Sequence, residues 1–126
     1  MELIRYGIII VGLILAGLGI FHQLIVGAIV TNIDGDEKDL RLYLMSWISH
    51  GAYITFSGIL PVILLFYHST YEGAISTTLI VLGFALLILS IHIAITTLKF
   101  KIPMILAEFA FSILLSVLLF TFYFLQ

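Results

Sequence analysis

This 126-residue chain is 63% hydrophobic and 10% charged, with a mean hydropathy of +1.30. It therefore has too few charges to cover a water-soluble domain, whose surface is typically about 25–35% charged. The absence of cysteine excludes disulfides, thiolate metal sites, iron–sulfur clusters and covalent c-type haem attachment, and a net charge of −2 without any basic patch excludes nucleic acid as a partner.

Four apolar runs, at residues 6–30, 42–67, 74–98 and 102–125, are each long enough to cross a bilayer, since about 20 helical residues span a hydrocarbon core of roughly 30 Å. The connections between them are short, so consecutive helices must be antiparallel neighbours. The fold class predicted is an all-α membrane protein: a single antiparallel four-helix transmembrane bundle over residues 1–126, with the lipid bilayer as its first partner. A homo-oligomer or a larger membrane complex is compatible with this design.

The first run exceeds the roughly 7–15 apolar residues of a signal peptide, and only Arg5 precedes it as a basic residue, so it is expected to be retained. Its segment "GIIIVGLILAGLGI" does not alternate as a transmembrane β-strand would. Gly12 and Ala16 form a small-xxx-small pair suited to close helix contact. Within "GLGIFHQLIVG", Gly19 leaves room beside His22, and the polar Gln23 follows.

The connection "TNIDGDEKDL" is acidic enough to invite comparison with a calcium loop. Counted from Asp34, however, the fifth position is Lys38 and the twelfth is Met45, where oxygen ligands are needed. A solvated turn is expected instead, with Asp39 or another acidic residue favouring the N-terminus of the next helix.

On the second helix Ser46, His50, Tyr53 and Ser57 share one face. Pro61 lies inside that helix, four residues after Ser57, and a bend is expected at 57–61. Tyr43, Trp47, Tyr67 and Tyr71 are placed as interfacial aromatic anchors and His68 as an interfacial residue. On the third helix Ala85, His92 and Thr96 share a face. On the fourth, Pro103 suits the first turn, and Glu108, Ser112 and Ser116 form one polar stripe.

Measured from each helix centre at 1.5 Å per residue, His22, His50, His92 and Glu108 all lie about 6–9 Å towards the same side. Ionisable groups in membrane helices face the bundle interior, because lipid offers them no partner. The four are therefore expected to converge in one layer. That layer admits three readings. Imidazole and carboxylate together suit Zn, Fe, Mn, Cu or Ni, so His22, His50, His92 and Glu108 are a candidate metal site, or two of the histidines ligate a haem. The same residues could line a proton or ion pathway in a homo-oligomer. They could instead form a hydrogen-bonded layer that only specifies packing in an accessory subunit. No nucleophile elbow, phosphate-binding loop or H-E-x-x-H is present to name a reaction.

Arg5 is the lone Lys or Arg on the side of the termini and the 68–73 connection, whereas Lys38, Arg41, Lys99 and Lys101 lie opposite. Basic residues in short connections mark the cytoplasmic side. Both termini are thus expected on the non-cytoplasmic side.

Overall fold

The computed structural model describes residues 2–30, 35–67, 73–97 and 102–125, apart from the side chains of 26–30, 67, 96 and 97. It contains four helices, α1 (Glu2–Val30), α2 (Glu37–Tyr67), α3 (Gly73–Thr97) and α4 (Pro103–Phe124). Each includes a stretch long and apolar enough to cross a membrane. Asp34, His68, Tyr71, Lys99 and Lys101, with the side chains of Tyr67 and Thr96, lie outside what is described.

Two helices start earlier than hydropathy alone predicts. Helix α2 opens at Glu37 rather than 42, with Glu37 and Asp39 in its first turn. Carboxylates there interact favourably with the helix dipole, and Glu37 also pairs with Arg41 one turn on. Helix α1 opens at Glu2, with Arg5 lying 3.8 Å from its carboxylate. Apolar runs mark what can be buried in lipid, whereas polar turns of helix extend beyond them. Helix α4 begins where expected: Ile102 is extended, with φ −73° and ψ 118°, and Pro103 takes the first helical position, as the residue before a proline disfavours helix. Helix α2 continues through Pro61.

The best-packed seam joins α1 to α2 through small residues. A Cβ on Gly12 would meet the Gly58 carbonyl oxygen at 2.7 Å, and one on Gly19 would meet the Thr55 backbone nitrogen at 2.5 Å and the Gly51 oxygen at 2.7 Å. A Cβ on Gly58 would strike the Ala16 nitrogen at 2.5 Å. The Gly12–Ala16 pair is thus one half of a longer seam, in which backbone lies directly on backbone. One side-chain bond fastens it: Gln23 Nε2 of α1 donates to Thr55 Oγ1 of α2 at 3.1 Å, and Thr55 Oγ1 in turn donates to the Gly51 carbonyl of its own helix at 2.8 Å. At the far end Arg5 donates to the Leu65 carbonyl at 2.6 Å, satisfying one of the last carbonyls of α2 that no helical N–H can reach.

Helix α4 packs on both α1 and α3, while α2 and α3 scarcely touch. Ile8, Leu15, Ile54, Leu65, Leu79, Leu86, Leu115 and Leu119 fill the centre. Ser116 Oγ donates to the Gly83 carbonyl at 2.8 Å, tying α4 to α3. The outer surface is apolar: Leu24, Phe66, Ile88 and Ile95 are each about two-thirds or more exposed.

Candidate metal centre

The Gly19–Gly51 contact creates the site. His22 lies three residues after Gly19, about one helical turn, and His50 immediately precedes Gly51. Where the two backbones touch, the imidazoles are brought alongside each other, with ring centroids 5.0 Å apart and planes inclined by 55°. From α4, Glu108 enters between them. Its Oε1 accepts a hydrogen bond from His22 Nδ1 at 2.7 Å, and its Oε2 lies 3.5 Å from His50 Nε2. Glu108 is wholly buried, His22 is 2% exposed and His50 is half-buried. A buried carboxylate is tolerated when it is paired in this way.

With Nδ1–H of His22 donating to Glu108, the Nε2 lone pair of the neutral ring is free to accept or to ligate. His22 Nε2 is buried without a hydrogen-bond partner, and Glu108 Oε2 has only the 3.5 Å ion-pair contact with His50. Buried polar atoms left in this way call for an explanation, an ion or a water among them. One ligand atom each from His22, His50 and Glu108 can be chosen so that all lie within 4.8 Å of one another. A metal held at about 2.1 Å by tetrahedral ligands keeps them about 3.4 Å apart. Ligation would draw any pair at the 4.8 Å limit together by about 1.4 Å. Two imidazoles and one carboxylate suit zinc, iron or manganese.

A cavity of about 190 Å³ adjoins the cluster, lined by Ser46, Trp47, His92, Ile93 and Ile105 together with His22 and His50. Pockets that hold drug-sized ligands are roughly 300–1,000 Å³. The space therefore favours a metal ion with a small group beside it over a haem.

The structure brings together three of the four residues singled out by depth. His92 lines the same cavity but is exposed and stands outside the three-residue group. Its distance has a simple cause: α3 is held by α4 and scarcely meets α2, so the end of α3 that carries His92 stands away from the cluster. Depth along a helix axis carries no information about that lateral spacing.

The stripes on α2 and α4 differ in fate. Glu108, Ser112 and Ser116 are all buried. On α2, Ser57 is buried, whereas Ser46 and Tyr53 are exposed and His50 lies between. Ala85 and His92 do share a face, and that face looks towards His50 and Tyr53 across a second cavity. The acidic residues 36, 37 and 39 are exposed, as a solvated turn requires.

Trp47, expected as an interfacial anchor, also packs on the site. Its ring centroid lies 4.6 Å from that of His22, inclined by 37°. Placement three residues before His50, on the same helical face, was the available signal. Comparison of the chain with protein-family models, curated proteins and solved structures found no match.

Proposed function

We propose that this chain is a multi-pass membrane protein built around a transition-metal site whose ligands are His22, His50 and Glu108. The carrying observation is the convergence of these three side chains from three different helices, within 4.8 Å and largely shielded from solvent. The bilayer assignment is supported by the four candidate spans and by an outer surface of exposed leucine, isoleucine and phenylalanine, which in water would form an apolar patch far larger than soluble monomers carry. The antiparallel arrangement is supported by the pairing of Arg5 with Leu65, Gly12 with Gly58 and Gly19 with Gly51. The excess of lysine and arginine in the opposite connections supports non-cytoplasmic termini.

The test is metal content after purification in detergent without chelator. Wild-type protein is expected to carry a stoichiometric transition metal, and His22→Ala, His50→Ala and Glu108→Gln are each expected to lose most of it. Glu108→Gln keeps the size and hydrogen bonding of the side chain, so its loss of metal should come with normal folding. Wild-type protein that neither retains nor takes up zinc, ferrous iron, manganese or cobalt would overturn the proposal.

One observation favours a second reading. The 2.7 Å His22–Glu108 hydrogen bond already ties α1 to α4 without any ion. Under that reading the layer is a packing device, and Glu108→Gln would leave both assembly and every cellular phenotype unchanged.

A further inference from the structure

Metal sites that serve only structure are closed by four protein ligands, whereas reactive or ligand-binding sites use three and keep a position open. The cluster offers three. Among the described residues, the lining of the neighbouring cavity adds one further metal-ligating side chain, His92, which stands outside the group.

A second cavity, of about 350 Å³, lies between α2 and α3 and is lined by His50, Tyr53, Ala85, Ile88, Leu89 and His92. It shares His50 and His92 with the first cavity. The two therefore adjoin where α2 and α3 scarcely touch, and the wider one opens on the flank of the bundle beside Ile88, which is 67% exposed. In the membrane that flank faces lipid. Aliphatic walls lead inward to imidazoles and a phenol, and then to the metal position.

From this geometry we infer that the open metal position binds the carboxylate head of a long-chain amphiphile, which reaches it from the bilayer between α2 and α3. The inference rests on the metal reading above. Charge selects the head group: a divalent ion with two neutral imidazoles and one carboxylate retains a net charge of +1, which an anionic oxygen donor neutralises. The walls select the chain, because Ala85, Ile88 and Leu89 offer apolar contact and no charge. Tyr53, on the wall of the second cavity, offers a phenol that can donate to the second carboxylate oxygen.

Cobalt(II)-loaded protein in detergent provides the test, since its visible spectrum reports coordination. Laurate is expected to change that spectrum at concentrations at least 100-fold below those needed for acetate. Ala85→Phe, which fills the passage away from the metal ligands, should weaken laurate at least 10-fold while leaving cobalt content and the acetate response intact. Should Ala85→Phe fail to load cobalt, Ile88→Trp makes the same test nearer the mouth.

Equal potency of acetate and laurate would overturn the lateral route. A cobalt spectrum indifferent to both would overturn the open position while leaving the metal site standing. Failure of wild-type protein to bind cobalt would instead overturn the metal reading itself. In membranes, rapid oxidative cross-linking of Ile88→Cys in this cysteine-free chain would assign the flank to a second copy, and so overturn the amphiphile.

Discussion

Substitution of Gly19 by alanine tests the link between the α1–α2 seam and the site more sharply than any change to a ligand. The added Cβ would sit 2.5 Å from the Thr55 backbone nitrogen and from Thr55 Oγ1, and 2.7 Å from the Gly51 carbonyl oxygen. Ordinary contact begins at 3.4 Å, so the helices must part locally by about 0.9 Å, because two of the three obstacles are backbone. Overpacking of this kind costs about 1–3 kcal/mol. Parting also stretches the 3.1 Å Gln23–Thr55 hydrogen bond past its useful length, a loss of about 0.6 kcal/mol for a typical bond between membrane helices. Together these predict about 2–3 kcal/mol, or an apparent Tm lower by roughly 8 °C or more. The consequence at the site is larger in proportion. Metal–ligand distances tolerate about 0.2 Å, so moving His22 away from His50 by several times that distance should weaken metal binding at least about 10-fold. Trp47 is the sole tryptophan and packs on His22, so its fluorescence follows both thermal unfolding and metal titration. Gly17→Ala is the internal control: its Cβ would meet nothing within 4 Å, and neither Tm nor affinity should fall. Gly19→Ala protein with wild-type Tm and wild-type metal affinity would refute the claim that this contact sets the geometry of the site.

Two further outcomes are expected. Arg5→Ala removes the donor to the Leu65 carbonyl and should lower stability in detergent by about 1.5 kcal/mol, the lower edge for a hydrogen bond from a charged group, because a third of the Arg5 side chain is exposed; no change in thermal unfolding would show that this carbonyl is otherwise satisfied. Single cysteines at Asp36 and Gly73, probed in intact cells with an impermeant thiol reagent, should label at 73 and not at 36; the reverse pattern would invert the proposed orientation.

The helices were legible in the sequence because their cause is local. Hydropathy summed over about 20 residues needs no knowledge of neighbours, and the Ile102–Pro103 start of α4 follows from proline stereochemistry alone. What hydropathy missed were the polar first turns, Glu2–Arg5 and Glu37–Arg41, whose stabilisation comes from the helix dipole and from side chains one turn apart. The small-residue seam was half legible. Gly12 and Ala16 stand out on α1, but their partners Gly51, Thr55 and Gly58 have meaning only once the two helices are in register.

The site divides along the same line, and the division explains why three predicted ligands meet and the fourth does not. Axial depth follows from the rise per residue, and it places His22, His50, His92 and Glu108 at one level. Lateral distance depends on what lies between the helices. Between α1 and α2 the intervening residues are glycines, so the backbones touch and the histidines stand ring to ring. Between α2 and α3 they are His50, Tyr53, Ile88, Leu89 and His92, with Ala85 the sole small residue among them. Side chains of that size go with the scant contact between α2 and α3. The same residues line the recess beside His92. Bringing His92 into the group would need α3 to approach α2 as closely as α1 does, across a face of small residues, and Ala85 is the one small residue in that lining. That three of the four residues converge while His92 stands apart thus follows from which seam received the small residues.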